Sequence, residues 1–287
     1  KSSVEAYNLG NNVYIGGGFD HLDWVWDDAQ ITVNSTEGSY DVSAQETGNR
    51  GLAFSSDGTK FFIAGYIGND VGEYSMSTAW DVSTASYVDA FSLSGQGGVG
   101  RMGLDFNTDG TKMFVVSYQN DSIHEYTLST GWDVSTASYV DAFDVSSQDT
   151  DPRGLAFSND GTKMFMTGDQ GNDINEYTLS TGFDVSTASY VDSLDVSSYD
   201  TTVRDIAFND DGTRMFYSGH QNNKVHDWTL STAFDISTAT YNAGISLDSF
   251  DTGAEDFVFN SDGTKMFVSG NDDNTIDEYT LFGGWDA

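Results

Sequence analysis

Five segments of this chain repeat one pattern, and four carboxylates that depart from it could bind a cation. Asp105 stands where most of the other segments have Ala. Asp205 and Asp256 stand where others have Gly, and Glu255 replaces an Arg. Carboxylate oxygens suit calcium, and a bound cation can activate water for hydrolysis. The candidate metal site is therefore Asp105, Asp205, Glu255 and Asp256, with calcium as the candidate cofactor.

Arginines at one repeat position form a second candidate site. If the segments surround an axis, these side chains ring one mouth of a central channel, where guanidinium groups could hold an anion or a carboxylate. Alternatively, each Arg pairs with a loop acid such as Asp149, Asp151 or Asp200, and we favour this second interpretation. The members of this channel-mouth ring are Arg50, Arg101, Arg153 and Arg204.

No other pattern in the sequence predicts catalysis. The four histidines do not occupy one common repeat position, and neither a GxSxG motif nor a phosphate-binding loop is present. The absence of Cys excludes disulfides, thiolate zinc sites and a Cys nucleophile. Near-identical segments also argue against an active site, because catalysis usually needs several unlike residues to converge. We therefore expect a non-enzymatic protein and keep an enzyme as the alternative.

The repeated segments predict an all-β protein. An Asp-Gly pair recurs between two short apolar runs, which is typical of a tight hairpin. Two further strand-like runs follow in each segment, so that four strands recur about every 50 residues. This period indicates the blades of a β-propeller. The Asp-Gly pairs begin at Asp57, Asp109, Asp160, Asp211 and Asp262.

The two ends of the chain bear on the number of blades. Residues 2–9 resemble the fourth strand at 138–145, and the last segment ends before its own fourth strand. We therefore predict that strand 2–9 completes the last blade and that 10–49 forms a shortened blade, which makes a six-bladed ring. The alternative is five blades with an N-terminal excursion. The expected divisions of this single domain (1–287) are 1–9, 10–49, 50–100, 101–152, 153–203, 204–254 and 255–287.

One face of the predicted propeller varies in sequence. Because strands alternate in direction, the links from second to third strands share a face with the links from fourth strands to the next blade. These links differ between segments, whereas the opposite links barely change. We predict that the varied face binds a ligand, since aromatic rings can stack on sugars and amides can bind hydroxyls; the alternative is drift in unconstrained loops. The candidates are Tyr66, Tyr118, Gln119, Asp169, Gln170, Tyr199, His220, Gln221, Phe250 and Asn271.

The charge of the chain excludes several partners. There are 45 acidic and 11 basic side chains, for a formal net charge of -34. This balance argues against nucleic acid and anionic membranes, and no apolar run approaches the roughly 18 residues of a membrane-spanning helix. High salt would screen the self-repulsion of so acidic a surface. We therefore predict a marine or halophilic source.

The repeat resembles known propeller repeats. FSxDGTKMFV followed by a hairpin resembles the YVTN and lactonase-like group, and the longer unit with WDVSTASYVD is closest to tandem repeats of marine bacterial and phage proteins. The resemblance covers 50–287 well and 10–49 poorly. It implies an extracellular, cell-surface or virion-associated recognition or scaffold protein. For the lactonase-like group it also implies a central cation.

Three functions follow from these observations. The first is a non-enzymatic module that binds a glycan or a protein surface through its varied face, as in adhesion, with added avidity if copies form an array or adjoin virion neighbours. The alternative is a calcium-dependent lactonase-like hydrolase that uses the channel carboxylates. The third is a purely architectural part of a larger assembly.

Overall fold

The protein, described here by a computed structural model, forms antiparallel sheets arranged as propeller blades. The structure describes the backbone of residues 5–9, 12–16, 32–96, 100, 103–247, 254–270 and 274–282. Side chains are described for residues 37–96, 100, 103–247, 255–270 and 274–281. Among the described residues there are five four-stranded sheets and one two-stranded sheet.

The strands follow a regular order along the chain. They are β1 (Glu5–Leu9), β2 (Asn12–Gly16), β3 (Thr32–Asp41), β4 (Asn49–Phe54), β5 (Lys60–Gly65), β6 (Asp70–Met76), β7 (Ala85–Ser92), β8 (Leu104–Phe106), β9 (Lys112–Ser117), β10 (Ser122–Leu128), β11 (Ala137–Asp144), β12 (Pro152–Phe157), β13 (Lys163–Gly168), β14 (Asp173–Leu179), β15 (Ala188–Asp195), β16 (Val203–Phe208), β17 (Arg214–Gly219), β18 (Lys224–Leu230), β19 (Ala239–Ser246), β20 (Ala254–Phe259), β21 (Lys265–Gly270) and β22 (Thr275–Phe282). Blades 1 to 4 are β4–β7, β8–β11, β12–β15 and β16–β19, and blade 5 is β20–β22 with β3.

The first strand of each blade lies innermost and contacts the first strands of its neighbours. β20 of blade 5 contacts β4 of blade 1, so the ring is closed. Aromatic side chains fill the spaces between blades, as where Phe106 lies 4.6 Å from Phe62 and 5.1 Å from Trp132, measured between ring centroids. The second strands supply much of the core: they are continuous runs that are buried from their second residue to their last, as in β5, β9 and β13.

The face with uniform links is held by local turns. In blade 3, Asp160 accepts a hydrogen bond from the N–H of Thr162 at 3.0 Å, and Gly161 adopts a φ of 68° that suits glycine. A Cβ at Gly161 would lie 2.2 Å from the ring of Phe183, which covers the turn. Asp184 then caps a short 3-10 turn by accepting from the N–H of Ser186. The repeated Asp and aromatic residues therefore build the blade.

The prediction of six blades is wrong, and the alternative of five is the observed architecture. The fourth strand of blade 5 is β3, which pairs with β22, and not the predicted strand 2–9. β1, within 2–9, instead pairs with β2 in a separate sheet. Because β3 belongs to blade 5, the described residues of 10–49 do not form a blade of their own.

The sequence around Val42 explains why β3 closes the ring. The tripeptide at 41–43 matches the end of the fourth strand in blade 2, where Val145 follows β11. Val42 and Val145 are both fully buried. Each donates its N–H to a residue after the second strand, Val42 to Asn274 at 3.0 Å and Val145 to Asp121 at 2.8 Å. The fourth strand of a blade must also lead directly into the first strand of the following blade, as β3 of blade 5 leads into β4 of blade 1.

No helix in the part of the chain that the structure describes is both long and apolar enough to cross a membrane.

Candidate functional site

Ion pairs close the mouth of the central channel. Asp169 binds both Arg153 and Arg204, with N–O distances of 2.5 and 2.7 Å. Glu255 contacts Nη1 of Arg50 and lies 3.5 Å from Nε of Arg204. Since these residues come from blades 1, 3, 4 and 5, the network ties most of the ring together. We call it the mouth network.

The mouth network leaves little room for a ligand. Asp151 also binds Arg153 at 3.0 Å, so acids face each of the described arginines. The remaining cavity has a volume of about 10 Å³, and its lining consists of Arg50, Gly103, Arg153, Gly154, Arg204, Glu255 and Asp256. That is about the space that one water needs. The space that these described residues leave is therefore too small for an organic molecule. Arg101, the fourth member of the predicted ring, lies outside the described residues.

Three of the four predicted metal ligands join neighbouring blades. Asp105, Asp205 and Asp256 lie on inner strands, and each accepts a hydrogen bond from a backbone N–H of the next blade. The donors are Phe157 to Asp105 at 3.2 Å, Phe257 to Asp205 at 3.3 Å, and Leu52 to Asp256 at 2.8 Å. These carboxyls therefore satisfy backbone groups that would otherwise be buried without a partner.

The arrangement of these acids does not fit a calcium ion. Asp205 and Asp256 hydrogen-bond to each other, which requires a proton between them, and Glu255 is held by two arginines. Calcium needs several deprotonated oxygens directed at one point. Within the described ranges, no group of three or more His, Asp or Glu side chains is placed to hold a metal. Calcium binding by Asp105, Asp205, Glu255 and Asp256 stays a prediction for titration to test.

Burial changes the ionisation of the inner-strand acids. It raises the pKa of Asp105 to about 7, against the lowering effect of the hydrogen bond from Phe106. Burial also raises the pKa of both Asp205 and Asp256, and the nearby Asp205 charge raises that of Asp256 further. At neutral pH, protons are therefore retained at the centre of a very acidic protein.

The raised pKa of Asp105 predicts that this residue's contribution to the free energy of unfolding falls as pH rises from about 4 to about 7. In this window the folded chain keeps a proton on Asp105 that the unfolded chain has released, whereas burial lowers the pKa of His124 and His226, so these two residues change stability in the opposite direction. The stabilisation that comes from protonated Asp105 is complete below the pKa of an unfolded Asp, about 4, and is lost as pH rises through its pKa of about 7 in the folded chain. Urea unfolding in about 1 M sodium chloride measures it, since salt screens the surface charges. We expect Asp105→Asn to make the slope shallower; an unchanged slope in this variant contradicts the assignment.

Acidic side chains that accept hydrogen bonds from loop N–H groups hold the varied face, and we call them the clamp acids. Glu46, in the link between blades 5 and 1, accepts hydrogen bonds from the N–H groups of Gly48 and Gly68, both at 2.7 Å. Asp149 and Asp200 make the equivalent contacts in blades 3 and 4. Asp149 and Asp200 therefore bind loop backbone and not the mouth arginines that the sequence suggested as their partners, whereas Asp151, suggested with them, does bind Arg153. The varied loops of blades 1, 3 and 4 thus differ in sequence but share one way of being held.

Several predicted binding residues are exposed on the varied face. Tyr66 is 53% exposed and Tyr118 is 42% exposed, and Ile67 beside Tyr66 is 66% exposed. The Tyr118 ring centroid lies 6.0 Å from the guanidinium carbon of Arg153, so the mouth network and the varied face adjoin. The predicted glutamines, all exposed, are Gln119, Gln170 and Gln221.

Other predicted binding residues have structural partners. Asp169 belongs to the mouth network, and His220 is half-buried. Tyr199 packs within blade 4, where its ring lies 5.0 Å from Trp228 and 4.1 Å from Tyr241. Phe250 and Asn271 lie outside the described residues. The exposed aromatic residues of the predicted set thus lie in blades 1 and 2, and the exposed glutamines lie in blades 2, 3 and 4.

The sequence interpretation missed an ion pair that links successive blades. Lys112 binds Glu125 at 2.7 Å and also donates to the carbonyl of Phe183 in blade 3. The second oxygen of Glu125 accepts from the N–H of Val185 at 3.1 Å, in the same turn. The spacing of 13 residues between base and acid could have revealed the pair, because it recurs in every segment. The pairs are Lys60–Glu73, Lys112–Glu125, Lys163–Glu176, Arg214–Asp227 and Lys265–Glu278.

The chain is similar to solved β-propellers. No protein-family model and no curated protein matches it. A Bacteroides uniformis protein named "putative 6-phosphogluconolactonase" matches with a TM-score of 0.51 and 14% identity, over 80% of this chain and 65% of that one. A Bacteroides fragilis protein of the same name matches with a TM-score of 0.49 and 15% identity, over 81% and 68%. A chain of the nidogen/laminin complex matches with a TM-score of 0.50 and 11% identity, over 77% and 72%.

These similarities show the fold alone. The protein is a five-bladed β-propeller with lactonase-like propellers among its structural neighbours. It spans 65% of the length of the first of them. Because one propeller fold supports many functions, the function must be argued from this chain's own surfaces.

Proposed function

We propose that this propeller is a non-enzymatic recognition module that binds a glycan or another protein's surface through its varied face. The observation that carries the proposal is the contrast between the small space at the mouth and the exposed aromatic side chains on the varied face. The mouth holds about 10 Å³, whereas Tyr66 and Tyr118 are 53% and 42% exposed. Rigid aromatic residues bind at low entropic cost, so loops held by Glu46 suit recognition.

The proposed setting is extracellular, at a cell surface or on a virion. The net charge of -34 keeps such a surface hydrated and discourages binding to nucleic acid. A single varied face would bind weakly, and copies held in an array would bind with added avidity. This setting also agrees with a saline environment, where salt screens the acidic surface.

A glycan array with the labelled protein tests the recognition proposal. We expect Tyr118→Ala to weaken binding by at least about tenfold, because a central aromatic contact contributes about 2 kcal/mol. Tyr139→Ala is the matched control, since Tyr139 is also 42% exposed but lies on the outer strand β11. Equal loss in both variants, or an array with no binding, would count against glycan recognition through this face.

The second candidate is a lactonase-like hydrolase that acts at the channel carboxylates. Its support is the name of the Bacteroides uniformis neighbour, together with the buried Asp205 and Asp256 and the half-buried Asp105, whose pKa is about 7. It would require the mouth network to open, because the space of about 10 Å³ that the described residues leave at the mouth is too small for a lactone. It also requires a cation that the inner-strand acids do not fit in their present arrangement.

Calorimetric titration with calcium chloride in high sodium chloride tests the cation requirement. We expect no tight site, because Asp205 and Asp256 share a hydrogen bond. One tight site that is lost in Asp105→Asn and Asp256→Asn would instead favour the hydrolase. A set of weak sites that the two substitutions leave unchanged would agree with binding by surface carboxylates.

A further inference from the structure

One position in the third strand distinguishes blade 1 from the other blades. The residue before the acid of each ion pair carries a buried polar side chain in blades 2 to 5, with exposures of 7% or less. In blade 1 this position is Gly72, which has no side chain. The equivalent residues are His124, Asn175, His226 and Asp277.

A cavity occupies the space that those side chains fill elsewhere. It lies beneath the link between blades 5 and 1 and has a volume of about 130 Å³. A cavity of about 150 Å³ is enough for one benzene molecule, so this one takes a ligand of roughly six heavy atoms. Its lining consists of Gln45, Glu46, Ile63, Asp70, Gly72, Tyr74, Tyr87 and Ala90.

The cavity carries negative charge that no cation of the described chain balances. A Cβ placed on Gly68 would lie 2.9 Å from an oxygen of Asp70 and 2.9 Å from an oxygen of Glu46, so the two carboxylates lie close together. Burial raises the pKa of Asp70, and the neighbouring Glu46 raises it further. In blade 3 the equivalent Asp173 accepts a hydrogen bond from Asn175 at 2.8 Å, a partner that Gly72 cannot supply.

Aromatic rings form the other wall of the cavity. Tyr74 and Tyr87 meet edge to face, with ring centroids 5.6 Å apart. Tyrosine faces attract organic cations through the ring quadrupole, and a carboxylate nearby adds a counter-charge. Ile63 and Ala90 add an apolar surface for alkyl groups. Few ligands other than small organic cations would use all of these groups.

We propose that this cavity binds a small alkylammonium ion, with Asp70 as its counter-ion and Tyr74 and Tyr87 as its aromatic wall. The departure of Gly72 from the repeat opens the site, and the ligand occupies the place of the missing side chain. The site is separate from the Tyr118 surface, because Tyr118 does not line the cavity. The result of the glycan array therefore neither supports nor contradicts ammonium binding here.

Titration calorimetry with tetramethylammonium chloride and, separately, ethylammonium chloride tests the proposal at constant ionic strength in sodium chloride. We expect saturable binding at one site by at least one of them, and the stronger of the two shows whether the site prefers a methylated or a primary ammonium. Gly72→Asn should abolish binding, because it restores the side chain of blade 3. This variant should fold, since the nearest atom to a Cβ at Gly72 is 3.4 Å away.

Two further variants separate the site from general charge effects. Asp70→Asn should weaken binding at least tenfold, whereas Asp173→Asn, which removes the equivalent charge in a filled blade, should leave it unchanged. Melting temperatures of all variants verify that they are folded. The proposal is overturned if neither cation binds at concentrations up to about 10 mM. It is also overturned if folded Gly72→Asn binds as the natural chain does. A Kd of about 10 mM corresponds to a binding free energy of about 2.7 kcal/mol, so the proposed site must bind more tightly than this.

Discussion

Removal of residues 1–41 is expected to abolish cooperative folding, whereas removal of residues 1–31 is expected to leave the ring folded. The longer deletion removes β3, which pairs with β22 from Thr275 to Phe282. Blade 5 would then expose Ile276 and Tyr279, which are buried in the complete ring. An opened propeller also presents an unpaired strand edge, which promotes aggregation. Size-exclusion chromatography and thermal unfolding followed by circular dichroism measure the outcome.

The shorter deletion is the control for this experiment. It removes β1 and β2, which pair with each other and not with the blades. We expect a monomeric elution volume and one sharp transition for the shorter deletion, and loss of that transition for the longer one. If the two truncated proteins unfold alike, or if only the shorter deletion destroys the fold, then β3 does not close the ring.

Glu125→Ala is expected to lower the free energy of unfolding by about 3–5 kcal/mol, the cost of breaking a buried ion pair from one side. Glu125 is 2% exposed and holds both Lys112 and the N–H of Val185. Its loss leaves the ammonium group of Lys112 with only the carbonyl of Phe183 and leaves a buried N–H without an acceptor. Urea unfolding at fixed high salt measures the change.

Asp141→Ala is the matched control for the ion pair. Asp141 lies opposite Glu125 on the neighbouring strand but is exposed, so the substitution removes the same charge without breaking a buried contact. We expect its effect to stay within about 0.5 kcal/mol. Similar effects in the two variants would mean that the Lys112–Glu125 pair does not link blades 2 and 3.

The repeat itself made the propeller predictable. Asp-Gly turns such as Asp160–Gly161 mark the first hairpin of each blade, and the structure places a four-stranded sheet at each repeat. The closing strand was not predictable from similarity alone, because both 2–9 and 39–44 resemble parts of a fourth strand. The deciding feature is connectivity, since only the strand that ends at Asp41 leads directly into β4.

The clamp acids occur together with glycines in the sequence, but the structural reason for this pairing could not be inferred from the sequence alone. Asp149 lies so close to Gly168 that a Cβ at this glycine would be 2.2 Å from the carboxylate. Acids at 46, 149 and 200 accompany Gly at 65, 168 and 219, whereas the segment with Gly97 has Ser117. Such pairing within one chain becomes interpretable only once the strands bring the two positions together.

The mouth network could not be predicted in detail because its partners come from different blades. Arg153 and Arg204 share Asp169, which the sequence placed among ligand-binding residues of the varied face. Likewise, Gly72 had no apparent role until the structure showed that its counterparts are buried side chains. Both features depend on contacts between elements that are distant in sequence.

A lactone hydrolysis assay tests most directly whether function lies on the varied face or in the channel. The substrate would be 6-phosphogluconolactone, with and without calcium, and the proteins would be the natural chain, Asp105→Asn and Tyr118→Ala. Because the mouth network leaves about 10 Å³, we predict that the lactone disappears at the buffer rate with every protein. Hydrolysis by the natural chain that is lost in Asp105→Asn and kept in Tyr118→Ala would contradict this and place the function in the channel.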